Sequence, residues 1–436
     1  MEIDARAVEF EDLDDIIARV GDAIAREVLS ILGGTYGRRV NVLVGPGLNG
    51  ADATSAARRL ARAGVRVNEI PLDELPETLP PADLTLDGLF GSGLNRPFIA
   101  SDTGDTPVVS IDIPSGIDGL TGEVHGTAFH ADVTLVLMAH KPGLLIHAGP
   151  EHAGELRVLD IGIDPGEQLL QLVEDVDVAT WLPVRKRDAH KWNQAVLVVA
   201  GSPGMTGASH LVCRAALRAG AGYVHLDSAA SVDPNVPMEV VASLAGKGVR
   251  ADADRFHAAV VGPGLGSGAA AQQFVRTVLG SVALPTVVDG DGLTALAGHL
   301  DVVANSEVAT ILTPHDGEFE RLMGDRPGPD RIAAARTLAS EAGSIVLLKG
   351  PTTVVADPDG RALLCTAGDS RLATAGTGDV LAGVVAAFLA QGMPPIRAAA
   401  AAAHVHGRAA LLGPATGLLA SDLPDLIATA MSDLTR

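Results

Sequence analysis

The sequence predicts an α/β protein built as two three-layer domains that meet near residue 180. Short Val/Ile/Leu runs alternate with Ala/Arg-rich helical patterns from residue 40 onward, which is the signature of parallel βαβ units. At roughly 150 residues per domain, a chain of 436 residues asks for two or three. Its 50 glycines and 26 prolines suit many strand-to-helix turns better than a helical bundle.

In the first series residues 40–44 read as a strand, 53–63 as a helix and 65–70 as the next strand. Further strands are expected at 84–86, 108–111, 133–138 and 156–159. The first three of these run into glycine or acidic loops, where open α/β sheets place ligands. Residues 165–191 turn acidic and then basic, with Trp181, Pro183, Arg185, Lys186 and Arg187, so the domains are expected at 1–175 and 185–436. The second series has strands at 196–200, 258–261, 286–288, 310–312, 344–348 and 353–356, and ends in alanine-rich helices over 379–412.

Charge and cysteine usage exclude several function classes. Lys+Arg 32 against Asp+Glu 53 leaves a net charge of −21 with no basic stripe, so no nucleic-acid partner is expected. Cys213 and Cys365 are far apart, which excludes a zinc ribbon or a disulfide framework and points to a reducing compartment. Glu2, Asp4, Glu9, Glu11, Asp12, Asp14 and Asp15 against Arg6 are the reverse of a secretory leader. The apolar run 380–393 is too short to span a bilayer and is broken by Gly383 and Gly392. A cytoplasmic protein with no membrane partner is expected.

The C-terminal half carries the sharper chemistry. Ala373-Thr374-Ala375-Gly376-Thr377-Gly378-Asp379 precedes an apolar helix, so two glycines and a carboxylate stand at a helix N-terminus. Backbone N–H groups and the helix dipole hold an anion there. A carboxylate repels phosphate, and it fits instead a base that takes the proton of a substrate hydroxyl during phosphoryl transfer. The alternative is a helix cap. Lys349-Gly350-Pro351-Thr352-Thr353 ends a buried strand with groups suited to nucleotide phosphates. Thr313-Pro314-His315 with Gly317-Glu318, residues 261–266, and residues 201–207 followed by Ala208 end three more strands. Singly each is ordinary turn chemistry; four such loops in one domain point to a pocket.

In order and spacing these strings resemble the ribokinase-like domain of the ADP-dependent dehydratase that repairs hydrated NADH and NADPH. The matching stretches 196–222, 261–266, 311–322, 347–355 and 373–392 cover most of residues 185–436. The resemblance implies ADP as co-substrate with Mg2+, transfer of its β-phosphoryl group to the hydroxyl of the damaged ring, and elimination of phosphate. It implies Asp379 as the base and Gly376 and Gly378 as the anion hole. Lys349, Gly350, Pro351, Thr352, Thr353 and Gly378 would contact the nucleotide, and Ala208, Gly264, Gly266 and His315 the hydrated nicotinamide. Two departures stand out: His190-Lys191-Trp192-Asn193 where the family has His-Lys-Gly, and Ala375 where it has glycine.

In the N-terminal half, Gly45-Pro46-Gly47-Leu48-Asn49-Gly50-Ala51-Asp52 lies between a strand and a helix, a phosphate-cradle geometry. Asp87 and Gly91-Ser92-Gly93 end the third strand, and Asp112-Ile113-Pro114-Ser115-Gly116 the fourth. Asn49, Asp87 and Ser115 offer oxygens to a hard cation, or are simply turn residues. Residues 110–118 and 131–134 with Lys141-Pro142-Gly143-Leu144 resemble the Rossmann-like epimerase that interconverts the R and S hydrates, a domain fused ahead of the dehydratase in many bacteria. The resemblance implies Asp112 as acid/base and K+ on Asn49, Asp87 and Ser115. It implies substrate contacts from Leu48, Asn49, Gly50, Ala51 and Asp52, and from Gly91, Ser92, Gly93, Leu94, Asn95, Arg96 and Pro97. The family loop reads Asn-Asn-Gly-Gly-Asp-Gly where this chain has Leu48 to Ala53, and the family's glutamate-containing first helix has no recognisable counterpart in residues 1–35. Epimerisation is expected to be weak.

The function implied is nicotinamide nucleotide repair by a homo-oligomer acting on small molecules, hydrated NADH/NADPH and ADP. The first domain equilibrates the hydrate epimers, and the second dehydrates the S form with release of AMP and phosphate. The rival is a small-molecule hydroxyl kinase with a non-catalytic N-terminal binding or dimerisation domain.

Overall fold

The computed structural model describes residues 12–163, 166, 168–229, 235–246, 250 and 252–436. Glu2, Asp4, Glu9 and Glu11 of the acidic N-terminus lie outside the described residues. The chain divides into two compact units, Met1–Gln168 and Leu169–Arg436.

Among the described residues the first helix of this unit is Leu13–Leu32, in the stretch where the family's glutamate-containing helix has no recognisable counterpart in the sequence. Asp12 caps it by accepting from the Asp14 amide, and Gly33 closes it in the left-handed conformation. Ile16, Val20, Ile24, Val28 and Leu32 recur every four residues and bury one face in the core of this unit. Six parallel strands follow: β1 (Arg39–Val44), β2 (Arg66–Pro71), β3 (Leu84–Gly88), β4 (Val108–Ile111), β5 (Val133–Leu137) and β6 (Glu155–Leu159). Their order is β2-β1-β3-β4-β5-β6, so the winding reverses between β1 and β3 and opens a crevice at their carboxyl ends. The helix after β1 runs Leu48–Arg62 and so starts at Leu48, earlier than the residue pattern indicates. Ala51 and Ala53 are therefore helical, where alanine is favoured. Gly50 allows close approach: a Cβ there would lie 1.9 Å from the Gly45 carbonyl oxygen.

The second unit is a ten-stranded sheet: β7 (Leu170–Leu172), β8 (Ala195–Val199), β9 (Tyr223–Ser228), β10 (Val241–Leu244), β11 (Ala258–Val261), β12 (Thr286–Val288), β13 (Thr310–Leu312), β14 (Ile345–Leu348), β15 (Thr353–Ala356) and β16 (Ala362–Cys365). The order is β10-β9-β8-β11-β12-β13-β14-β15-β16-β7, with antiparallel pairing only at β14–β15 and β15–β16. Residues 169–181 contribute β7 and the helix Asp175–Trp181 to this unit. β7, β9, β10 and β16 are absent from the strands read in the sequence. In β9 His225 and Asp227 interrupt the apolar run that marks the other strands. The winding reverses between β8 and β11, which again opens a crevice at the strands' carboxyl ends. The helix Thr377–Ala390 is buried nearly all round its circumference and belongs to the core of the unit. Both cysteines are buried and free. Among the described residues no helix is long and apolar enough to cross a membrane.

Candidate active sites

In the second unit, loops leaving β8, β11, β12, β13 and β14 are tied to one another at the crevice. The Gly201 amide donates to the Pro263 carbonyl (2.8 Å), Thr313 Oγ1 to Asp289 Oδ1 (2.7 Å) and the Lys349 amide to the Pro314 carbonyl (2.8 Å). Lys349 Nζ donates to Asp289 Oδ1 at 2.9 Å and lies 3.5 Å from Glu318 Oε2. Burial acts to lower the Lys349 pKa, but the two carboxylates outweigh it and hold it raised, so the ammonium stays charged.

Asp379 occupies the third helical position of Thr377–Ala390. The cap is Gly376, in the left-handed conformation at φ 92°, and no side chain caps this helix. The capping alternative for Asp379 is thereby removed. Its carboxyl is pushed up to about 7, first by burial and then by Asp289, with Glu318 and Asp291 adding to the rise and Lys349 opposing it. A carboxylate held near neutrality is suited to general-base work. A Cβ at Gly378 would lie 3.4 Å from Lys349 Nζ and 3.8 Å from Asp289 Oδ2, and one at Gly376 would lie 3.9 Å from Asp379 Oδ2. Asp379, Gly376, Gly378 and Lys349 are thus brought together.

The remaining residues expected here lie around this centre. Gly264, at φ 62°, faces Ala208, whose methyl would stand 3.1 Å from a Cβ there. The Gly266 amide donates to Asp291 Oδ2 (2.7 Å). His315 caps the helix Asp316–Met323, its Nδ1 accepting from the Gly317 amide (3.0 Å), and its ring is 56% exposed. Gly350 lies against the Arg331 guanidinium, which also holds the Lys349 carbonyl (2.8 Å). Thr352 is buried, Pro351 is exposed, and Thr353 begins β15. Asp289 was not singled out in the sequence, although Val288-Asp289-Gly290-Asp291 is one more acidic strand end of the kind that was. Among the described residues no three His, Cys, Asp or Glu side chains converge into a metal cage. Mg2+ does not need one, since it binds through phosphates and one or two carboxylates. Four acids against Lys349 leave the negative charge that would attract it.

In the first unit the crevice holds a cavity of about 470 Å3. Leu48, Asn49, Asp52, Asp112 and residues 91–96, all read from the sequence as substrate contacts, line it. Leu13, Ile16, Ile17 and Val20 of the first helix and Lys141 of the loop after β5 also line it, and none of these was assigned a role from sequence. Gly50, Ala51 and Pro97 do not reach it. Asp112 takes the left-handed conformation (φ 69°), which is rare for a non-glycine residue, and its carboxylate accepts from Lys141 Nζ and from the Leu137 amide (3.2 Å). Asp52 is 5% exposed, and its carboxyl is pushed up to about 7 by burial and then by the charge of Asp112. Leu48, 52% exposed, sits at the mouth.

Asn49, Asp87 and Ser115 converge beside this cavity. Asn49 Nδ2 donates to the Ile111 (2.7 Å) and Phe90 (3.0 Å) carbonyls, and the Phe90 amide donates to Ser115 Oγ (3.0 Å). Asp87 is fully buried. It accepts from Ser115 Oγ (2.6 Å), the Ser115 amide (2.8 Å), Ser110 Oγ (3.0 Å) and the Leu89 amide (3.3 Å). Burial raises its pKa, and the Ser115, Leu89 and Ser110 hydrogen bonds oppose the rise. A buried carboxylate among hard oxygens fits a monovalent cation, for which the Ser115 hydroxyl would turn aside.

Comparison with known proteins bears on both sites. A family described as NAD(P)H-hydrate dehydratase matches residues 196–432, and one described as YjeF-related protein N-terminus matches 13–74 and 67–143. The bifunctional NAD(P)H-hydrate repair enzyme Nnr of Mycobacterium leprae is 41% identical, covering 91% of this chain and 88% of the relative. That of Salinibacter ruber is 36% identical over 94% and 91%. The crystal structure of the ADP/ATP-dependent NAD(P)H-hydrate dehydratase of Bacillus subtilis, co-crystallised with ATP/Mg2+, matches at a TM-score of 0.53 and 30% identity, covering 61% of this chain and 98% of that one. With both units matched in this order along nearly the whole length, the chain belongs to the family of bifunctional NAD(P)H-hydrate repair enzymes.

Proposed function

We propose that this chain repairs hydrated NADH and NADPH, epimerising the R and S hydrates in its first unit and dehydrating the S form in its second at the expense of ADP. The observation that carries this is Asp379, pushed up to about 7 at the start of a buried helix beside Lys349 and two glycines. Asp379 takes the proton of the ring hydroxyl, whose oxygen attacks the β-phosphorus of ADP as the bond to AMP breaks. The amides at Gly376 and Gly378 and the Lys349 ammonium stabilise the charge on the transferred group. The phosphorylated hydrate then loses phosphate and a proton from the adjacent carbon, restoring the ring double bond.

Lys349, Gly350, Pro351, Thr352 and Thr353 hold the nucleotide in this reading, and Ala208, Gly264, Gly266 and His315 hold the hydrated ring. Mg2+ would supply charge neutralisation on the nucleotide phosphates. In the first unit Asp112 acts on the substrate in the 470 Å3 cavity, and K+ on Asn49, Asp87 and Ser115 would balance the buried charge of Asp87. Two buried free cysteines suit a reducing, cytoplasmic setting.

Purified protein given mixed hydrate epimers, Mg2+ and ADP or ATP tests the reading by recovery of dihydronicotinamide absorbance. Full recovery is expected. Recovery of the S fraction alone would leave the first unit without activity, a phosphorylated product that accumulates would make the second a kinase, and no recovery would overturn the proposal.

A further inference from the structure

The first-unit cavity holds more chemistry than one carboxylate. Its charged residues are Asp52, Asp112, Lys141 and Arg96, while the first helix contributes only Leu13, Ile16, Ile17 and Val20 to the lining. Arg96 is exposed and stands over the Phe90 ring, 5.6 Å from its centroid. Lys141, whose side chain is 15% exposed, is committed elsewhere: it donates to Asp112 and to the Leu137 carbonyl (2.8 Å). The Asp52 carboxyl, though buried, has no hydrogen bond or ion pair among the described residues. The Lys141 ammonium therefore serves Asp112 and leaves Asp52 without an ion pair.

We propose that Asp52 and Asp112 are the acid and base of epimerisation, with Lys141 the positioning residue that keeps Asp112 ionised. This rests on the epimerase reading given above. A carboxyl paired with an ammonium ionises readily, whereas one beside a like charge in an apolar wall keeps its proton, so the environment splits two identical groups into two roles. The rise of Asp52 to about 7 under burial and the charge of Asp112 agrees with that split.

The chemistry balances. Hydration of an enamine double bond places the hydroxyl on the carbon bonded to nitrogen. Asp52 gives its proton to that hydroxyl, and the C–O bond breaks as the nitrogen lone pair forms an iminium ion and water leaves. Water then adds to the opposite face and loses its proton to Asp112. No electrons are exchanged with any other molecule, and the pair is left with its proton on Asp112, ready for the reverse epimer or for re-equilibration with solvent.

The test follows conversion of purified R hydrate to S by chromatography on the full chain without nucleotide, which silences dehydration. Wild type is expected to show a bell-shaped pH dependence of kcat/KM with its upper limb near pH 7. Asp52→Asn is expected to lose ~10²-fold or more in rate and to lose that upper limb. Lys141→Met is expected to move the lower limb upward as Asp112 loses its cation, and Lys141→Arg to restore it. An Asp52→Asn variant within threefold of wild type, or a wild type with no limb between pH 6 and 8, overturns this inference while the epimerase reading stands. A wild type no faster than buffer overturns both. The wild-type profile decides the matter even where a variant folds poorly.

Discussion

Asp379→Asn separates two consequences of one half-buried carboxyl. In the folded chain that group is pushed from 3.8 up to about 7, chiefly by burial and then by Asp289. Each pH unit corresponds to about 1.4 kcal/mol, so the charged form carries a penalty with an upper limit of roughly 4 kcal/mol, and partial exposure reduces it to about 1 to 3. From about pH 4 to 7 the folded carboxyl keeps a proton that the unfolded one has lost, so stability falls as the pH rises through that window and stays low above it. Asparagine carries no charge. The variant is therefore expected to melt with wild type near pH 4 and several degrees above it at pH 8. Its turnover is expected to fall about 10²- to 10⁴-fold, because an amide cannot accept the hydroxyl proton. Nucleotide affinity, read by calorimetry, should be unchanged. Thermal melts across pH and kcat with S hydrate and saturating ADP check all three. Turnover within tenfold of wild type, or a lower melting temperature at pH 8, would refute the assignment of Asp379 as a strained base.

Lys349→Ala should raise the nucleotide KM, because in the proposed reaction the ammonium contacts phosphate in ground and transition states alike, and should cost about 3 kcal/mol at pH 8 by leaving Asp289 and Glu318 without their cation. Titrating ADP in steady-state assays and denaturant melts measure the two effects. Leu48→Asn should speed epimerisation by restoring a polar group at the cavity mouth, whereas Ala51→Gly should leave the rate unchanged and cost about 1 kcal/mol, since residue 51 is helical. Exchanging sodium for potassium at constant ionic strength should raise the melting temperature of wild type, and Asp87→Asn should remove the difference; equal melting in both salts for wild type would exclude the cation site.

Much of the fold was legible because its signals are local. Residues 108–111, 258–261 and 353–356 are apolar runs that emerge as β4, β11 and β15. The Leu13–Leu32 helix escaped notice because its four-residue apolar step begins behind an acidic stretch. The early start at Leu48 was hidden because Asn49 and Gly50 are poor helix formers; there a glycine lets the helix approach the Gly45 carbonyl closely, and packing overrides propensity. Strand β9 went unread because His225 and Asp227 answer to partners such as Ser243 rather than to a hydrophobic period.

The chemistry divides in the same way. Which residue types stand at the strand ends and helix starts can be read from the chain alone, because those positions follow from local periodicity and turn composition. It left open whether Asp379 stands at the cap of its helix or inside the first turn, and it did not bring Asp52 and Asp112 into one cavity in which Lys141 pairs with Asp112. Those are questions of charge and burial, set by loops far apart in the chain that meet only at the reversal points of the two sheets. Coulomb coupling and desolvation depend on distance through space and on excluded water, and both are fixed only when the chain has folded.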